Sequence, residues 1–201
     1  MAEATPALEI RDLHKRYGDL EVLKGISLTA RDGDVISILG SSGSGKSTFL
    51  RCINLLENPH QGQILVAGEE LKLKASKNGD LVAADNKQIN RMRSEIGFVF
   101  QNFNLWPHMS VLDNILVGRY CHQRSGLAAA FAYYPFAHRE EVEHRAVAEE
   151  IISFLEIEHV RHQPVGTLGY GMRKRVDLGR ALAMEPQVLL LDEPMAGMNV
   201  E

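Results

Sequence analysis

A run of residues that begins at Gly40 has the types and spacing that could bind phosphate groups. In order, the residues are Gly40, Ser41, Ser42, Gly43, Ser44, Gly45, Lys46, Ser47 and Thr48. They match the pattern G-x-x-x-x-G-K-[ST], in which glycines let the backbone curl so that its N–H groups surround phosphate oxygens. Lys46 would add a positive charge, and the Ser47 hydroxyl could ligate Mg²⁺. A plain glycine-rich turn is the competing interpretation.

A pair of carboxylates near the end of the sequence supplies a second chemical feature. Asp192 and Glu193 directly follow the apolar run Val188–Leu191. In an open α/β sheet, ligands bind at the carboxyl ends of the strands. Asp192 could therefore support a hydrated Mg²⁺, and Glu193 could polarise a water molecule against the terminal phosphate of a nucleotide. Solvated acids at a strand end are the alternative, but together with a phosphate loop the pair indicates nucleotide hydrolysis.

The phosphate pattern requires a strand before it and a helix after it. Asp34–Leu39 is an apolar run bounded by glycines, which predicts a buried strand. Lys46–Leu56 has apolar residues at helical spacing, and Asn58 with Pro59 would stop that helix. Strand, glycine loop and helix in this order form half of a βαβ unit, and they direct the helix N-terminus toward an anion.

The remaining segments predict an α/β domain with a largely parallel sheet and a small antiparallel lobe. Short strands of that lobe are predicted at Leu8–Asp19, Val22–Leu28 and Gln63–Ala67, with a hairpin or loop at Glu69–Asn90. Further buried strands are predicted at Ile96–Phe100 and Val188–Leu191, and helices at Val111–Val117, His138–Leu155 and Met172–Ala183. Strands rich in Val, Ile and Leu that alternate with helices are typical of parallel sheets.

Length and composition exclude several classes of protein. The chain has 201 residues, of which 45% are hydrophobic and 24% charged, as in folded soluble proteins. Its net charge of −4 gives no electrostatic reason to expect nucleic acid as a partner. The longest apolar run, Gly126–Ala137, is too short to span a bilayer, and the N-terminus lacks the apolar core of a secretory signal. Because the only cysteines are Cys52 and Cys121, a reducing cytoplasm is expected.

The phosphate loop and the later acidic pair, in this order, resemble the ATP-binding subunit of an ABC transporter, which is a P-loop NTPase. The resemblance covers essentially the whole chain. It implies that Tyr17 is the A-loop aromatic that stacks on adenine, and that Gln101 is the Q-loop residue that serves Mg²⁺ or the attacking water. Met195–Asn199 would be the D-loop, which contacts a second subunit. A strand-end tyrosine without a ligand is the alternative for Tyr17.

The family's signature sequence, typically L-S-G-G-Q, is present in altered form. Its first positions are occupied by Leu168, Gly169, Tyr170 and Gly171, and the helix that follows fits well. In the family, this segment binds the γ-phosphate held by the opposite subunit. Gly169 keeps the backbone N–H but lacks the serine hydroxyl, so that one charge-assisted hydrogen bond is missing, worth about 1.5–3 kcal/mol. We therefore expect ATP-driven dimerisation to be weaker than in a serine-bearing relative.

The two halves of the chain resemble different subfamilies of importers. Leu8–Asn114 is similar to the histidine and polar amino-acid importers, whereas the sequence from Ile115 onward looks more like the branched-chain amino-acid or urea type. Lysine usage changes near the same boundary, because Lys174 is the only lysine after residue 100. A chimeric chain and an unusual natural member both fit this difference.

Two further segments have weaker functional interpretations. Phe103, Leu105 and Trp106 could dock a coupling helix of a membrane subunit, as the resemblance implies, or pack in the core. The acidic stretch Arg139–Glu158 is expected to be a solvated helix face and not a metal site. Neither segment changes the overall interpretation of the chain.

The resemblance also divides the chain into parts of a single ABC ATPase domain, residues 1–201. The antiparallel lobe would comprise about 1–35 and 62–95, and the P-loop core 36–61, 96–101 and 186–201. A helical subdomain with the signature helix would occupy about 102–185.

As a whole, the resemblance implies a cytoplasmic ATPase on the inner face of the cell membrane that uses ATP and Mg²⁺ to drive amino-acid import. The expected partners are a second ATPase subunit, integral membrane permease subunits and, indirectly, a solute-binding protein. The alternatives are a soluble ABC-type ATPase without a membrane partner and a nucleotide-binding fragment with little turnover. The family's switch histidine follows the acidic pair, whereas the last histidine here is His162. On this basis we expect poor hydrolysis and a C-terminally truncated domain with an uncovered sheet edge.

Overall fold

Alternating apolar positions near the N-terminus build an antiparallel sheet. In the computed structural model, which describes residues 5–123 and 134–194, the chain divides into two units, residues 1–96 and 97–201. The first unit contains the strands β1 (Leu8–Tyr17), β2 (Leu20–Ala30), β3 (Gln61–Val66) and β4 (Glu69–Glu70). Their spatial order is β2-β1-β3-β4 and each pairing is antiparallel, which confirms the predicted antiparallel strands.

The helix after the phosphate pattern is shorter than predicted. α1 spans Lys46–Ile53 and buries its apolar face in the first unit. The sequence predicts that it continues to Leu56, but Leu55 has a left-handed φ of 48° and Leu56 is 47% exposed. The guanidinium of Arg93 donates to the carbonyls of Asn54 and Leu55 at 3.1 and 2.9 Å. These bonds satisfy carbonyls at the helix end, so the chain turns there.

The polar stretch after β4 contains a hairpin and a helix. β5 (Leu73–Ala75) and β6 (Leu81–Ala83) pair antiparallel across a turn at Gly79, which confirms the predicted hairpin. The sequence does not predict α2 (Asn86–Ser94), because its composition is mostly polar. The side chain of Asp85 caps this helix by accepting a hydrogen bond from the backbone N–H of Lys87 at 2.8 Å.

The segment before the phosphate loop differs from its prediction. Asp34–Leu39 forms no strand, and Val35 and Leu39 are 95% and 91% exposed. A strand requires a neighbour whose backbone pairs with it, and the part of the chain that the structure describes supplies none. The prediction of a buried strand is therefore wrong here, because apolar composition does not specify a pairing partner.

The second unit contains a two-stranded sheet and helices. β7 (Ile96–Val99) pairs with β8 (Val188–Leu191), as expected for two of the predicted strands. The helices of this unit are α3 (Val111–Gly118), α4 (Tyr134–Phe154) and α5 (Tyr170–Leu182), with short 3₁₀ turns at Arg119–His122, Glu158–Val160 and Val165–Thr167. α4 and α5 extend further toward the N-terminus than predicted. Within the described ranges, no helix combines the length and apolar character needed to cross a bilayer.

One apolar core joins α3, α4 and α5. Its buried members are Val111, Leu112, Ile115, Ala148, Ile152, Ile157, Val160, Val165, Leu168, Val176 and Ala183. Ser110 and Asp113 form a capping box that starts α3. Gly118 lets α3 approach α5 closely, since a Cβ there would lie 2.2 Å from the carbonyl oxygen of Arg180. This core holds the start of α5, and with it the altered signature.

Candidate functional site

The phosphate loop curls around its own lysine. Gly45 has a φ of 93°, which favours glycine, and it turns the loop into the first turn of α1. The ammonium of Lys46 donates to the carbonyls of Gly40 and Ser41 at 2.8 and 2.9 Å. A Cβ at Gly40 would lie 2.6 Å from the Oγ of Ser44, so a larger residue there would require the Ser44 side chain to move. The loop thus presents a helix N-terminus and a cation together, the combination that attracts phosphate.

Tyr17 lies next to the start of α1 within the first unit. It ends β1 and is 45% exposed, and the ammonium of Lys15 lies 5.2 Å from the centroid of its ring. Partial burial raises the pKa of its hydroxyl, while a hydrogen bond with the Thr48 side chain opposes that rise. The structure therefore brings Tyr17 together with the end of the phosphate loop, as a role at the adenine would require.

The acidic pair follows β8, and its two members have different surroundings. Asp192 is 2% exposed, and its backbone N–H donates to the carbonyl of Val99 at 2.9 Å, which extends the pairing of β7 with β8. Glu193 is exposed and has a left-handed φ of 48°, a conformation that non-glycine residues seldom adopt. The amide nitrogen of Gln101 donates to Oε2 of Glu193 at 3.0 Å. Within the second unit, the structure thus brings together the two side chains predicted to handle water.

The altered signature lies at the start of α5. Leu168 is buried in the core of the second unit, while Gly169 is the N-cap and is exposed. A Cβ at Gly169 would meet no atom within 4 Å, so the structure leaves room for the family's serine. The guanidinium of Arg173 donates to the carbonyls of Leu168 and Gly166 at 2.8 and 2.7 Å, which fixes the approach to the helix.

The segment after Gln101 contains one exposed aromatic side chain, Trp106, and one that packs against α5, Phe103. Trp106 is 51% exposed, as a docking residue would be, and Leu105 is partly buried against the core. Phe103 packs against Tyr170, the third signature residue, with ring centroids 4.8 Å apart. The proposed D-loop, 195–199, lies outside the described residues.

Sequence patterns missed the charged residues of α5 that surround Gln101. Lys174 is 5% exposed and Asp177 is fully buried, although charged residues are rarely buried unless paired. Asp177 pairs with Arg180 at 2.6 Å. Burial raises the pKa of Asp177, while the cations of Arg180 and Lys174 oppose that rise. The sequence signal that could have indicated them is their position on the apolar face of a helix.

Comparisons with known proteins show the family of this chain. The profile of the ABC transporter family matches residues 23–196. The arginine/ornithine transport ATP-binding protein AotP of Pseudomonas aeruginosa is 49% identical over 194 residues, which cover 96% of this chain and 71% of that protein. The histidine/lysine/arginine/ornithine transport ATP-binding protein HisP of Escherichia coli is 47% identical, with coverage of 96% and 70%. The nopaline permease ATP-binding protein P of Agrobacterium fabrum is 44% identical, with coverage of 100% and 73%.

Solved structures give the same result at the level of the fold. The dimeric structure of MJ0796, a bacterial ABC transporter cassette, superposes with a TM-score of 0.74 at 28% identity, covering 96% of this chain and 76% of that one. A nucleotide-free ATP-binding cassette from an ABC transporter superposes with a TM-score of 0.71 at 27% identity, covering 96% and 71%. The chain therefore belongs to the ABC transporter family, as an ATP-binding and ATP-hydrolysing subunit with the α/β fold of the P-loop NTPases.

Proposed function

We propose that this chain energises an importer for amino acids, in complex with integral membrane permease subunits and a second ATPase subunit at the inner face of the cell membrane. The names of its relatives support this assignment, since they include transport ATP-binding proteins for arginine, ornithine, histidine and lysine. A relative solved as a dimer supports the second ATPase subunit. The exposed Trp106 is the group proposed to meet a permease.

The observation that carries the proposal is the geometry of the phosphate loop. Lys46 and the N-terminus of α1 give the loop positive potential, and Gly40 allows it to close around an anion. The hydroxyl of Tyr17 is hydrogen-bonded to the Thr48 side chain, and its ring would stack on an adenine. These residues together have the chemistry for a nucleoside triphosphate.

The residues proposed to hold Mg²⁺ fit that ion by the chemistry of their donors. Ser47, Gln101 and Asp192 offer a hydroxyl, an amide oxygen and a carboxylate, and Mg²⁺ binds oxygen ligands. When bound, the ion would neutralise charge on the phosphates. Glu193 would accept a proton from the attacking water, while Gln101 holds that carboxylate in place. Leu168, Gly169, Tyr170 and Gly171 are proposed to face the nucleotide of the second subunit.

Substitution of the loop lysine tests the proposal. We expect Lys46→Ala to abolish the rise in melting temperature that Mg-ATP gives the 201-residue chain, because a ligand stabilises only the state that binds it. Lys24→Ala is the matched control, since Lys24 is an exposed lysine of β2 in the same unit. Equal stabilisation of both variants by Mg-ATP would refute the proposed nucleotide site.

A further inference from the structure

Lys174 is a buried cation that the proposed ATP chemistry does not use. It lies on α5, is 5% exposed, and is the only lysine after residue 100. Burial of an ammonium group is costly unless its hydrogen bonds are satisfied. The groups that satisfy this ammonium therefore indicate what the residue does.

The ammonium of Lys174 binds the backbone of the segment that carries Gln101. Its Nζ donates to the carbonyl of Phe100 at 2.7 Å and to the carbonyl of Gln101 at 2.9 Å. The same atom lies 5.3 Å from the ring centroid of Phe103. This segment forms no helix or strand of its own, so its conformation depends on such contacts.

Other side chains of α5 bind the same segment. Arg180 donates to the carbonyl of Asn104 and also pairs with the buried carboxylate of Asp177. The ring of Tyr170 packs against Phe103. Asp177 is fully buried, and its negative charge compensates the buried Lys174 and the partly exposed Arg180. Three side chains of α5 thus contact the segment that carries Gln101.

A fixed backbone restricts where the Gln101 side chain can reach. Lys174 holds the carbonyl of Gln101, while the amide of the same residue reaches Glu193 at 3.0 Å. The geometry points to Lys174 as a positioning residue that fixes Gln101 against Glu193. The consequence for turnover rests on the proposed function and on the roles proposed there for Gln101 and Glu193, whereas the contact itself can be tested without nucleotide.

The first test measures the mobility of the segment in the nucleotide-free 201-residue chain. A spin label is attached at Asn102→Cys in a Cys121→Ser background, because Asn102 is exposed and Cys52 is buried. We expect Lys174→Met to replace the immobilised spectrum of the label with a mobile one. Lys174→Arg keeps hydrogen-bond donors and charge, and it should preserve most of the immobilised spectrum.

Arg175→Met is the matched control for this measurement. Arg175 is a cation on the same helix, but it donates to the carbonyl of Leu155 at 3.1 Å and not to the Gln101 segment. We expect this variant to leave the label immobile. A label that stays immobile in Lys174→Met, or that becomes equally mobile in Arg175→Met, overturns the inference. If Lys174→Met does not fold, Lys174→Gln enters the same comparison with the same expected result.

The second test measures phosphate release and ATP affinity. We expect Lys174→Met to lower kcat by about tenfold or more through misplacement of Gln101, and to leave the Kd for ATP unchanged. In a Gln101→Ala background, Lys174→Met should lower kcat no further, because Lys174 acts on kcat only through the position of the Gln101 side chain. An equal loss in both backgrounds would refute the positioning role. Failure of the wild-type chain to bind ATP would refute the proposed function and leave the spin-label result unaffected.

Discussion

At the scale of single residues, the two acidic side chains after β8 have different environments. Asp192 is buried, whereas Glu193 is exposed, has a left-handed backbone conformation and accepts a hydrogen bond from Gln101. A strained residue that is held by a neighbour is typical of a functional position. We therefore propose that Glu193 accepts the proton and that Asp192 supports the metal ion.

This assignment predicts a separation of binding from turnover. We expect Glu193→Gln to lower the rate of phosphate release by about a hundredfold or more, because a neutral amide cannot accept the proton of water. ATP affinity should be retained, since the phosphate loop is unchanged. A phosphate-release assay measures the rate, and equilibrium binding of ATP measures the affinity.

Glu156→Gln is a matched control for that change. Glu156 is also an exposed glutamate in the second unit with a left-handed φ, of 58°. The backbone conformation and the chemical change are therefore alike, and only the position differs. Similar losses of turnover in the two variants would contradict the assignment of Glu193.

At the scale of elements, α5 begins at a glycine N-cap, where the family's signature typically has a serine hydroxyl. Gly169 caps the helix without a side-chain hydrogen bond, and the space around it is open. A serine at an N-cap differs from glycine by only a few tenths of a kcal/mol in helix stability. The effect of a serine at this position should therefore concern the ligand more than the fold.

We expect Gly169→Ser to strengthen ATP-dependent dimerisation by about tenfold or more, because it restores one hydrogen bond to a charged phosphate. Analytical ultracentrifugation with and without Mg-ATP measures this change. Gly169→Ala adds the Cβ without the hydroxyl and should not strengthen the dimer. Dimerisation that is unchanged in the serine variant would show that the missing hydroxyl is not limiting.

At the scale of the whole molecule, each of the two units has its own core and its own cysteine. Cys52 is fully buried in the first unit, and burial raises the pKa of its thiol to about 12. Cys121 belongs to the second unit and is exposed. The reactivity of the two thiols should therefore differ strongly in the folded chain.

We expect a thiol reagent at neutral pH to label Cys121 in the folded chain and to label Cys52 only after unfolding. Mass spectrometry of peptides from the labelled chain measures both. Because the thiol of Cys52 ionises near pH 9.0 in the unfolded chain and near 12 in the folded one, the unfolded state binds fewer protons between these values. The free energy of unfolding should accordingly fall as the pH rises above 9.0, and less so in Cys52→Ala. Rapid labelling of Cys52 in the folded chain would contradict its burial.

Features that depend on the spacing of neighbouring residues can be predicted from the sequence. The pattern from Gly40 to Ser47 encodes a turn into a helix, and the structure has Gly45 at that turn with Lys46 in the first helical position. Such features follow from backbone preferences of adjacent residues, so they can be predicted without knowledge of the rest of the chain.

Features that depend on partners far away in the sequence become visible only in the folded chain. Asp34–Leu39 has the composition of a buried strand and yet forms none, since a strand exists only where another backbone pairs with it. The sequence predicts Lys174 only as a residue of a helix. In the folded chain, its ammonium donates hydrogen bonds to the carbonyls of Phe100 and Gln101. The physical reason is the same in both cases: hydrogen bonds between residues far apart in sequence are satisfied or lost according to the fold, and local patterns do not record them.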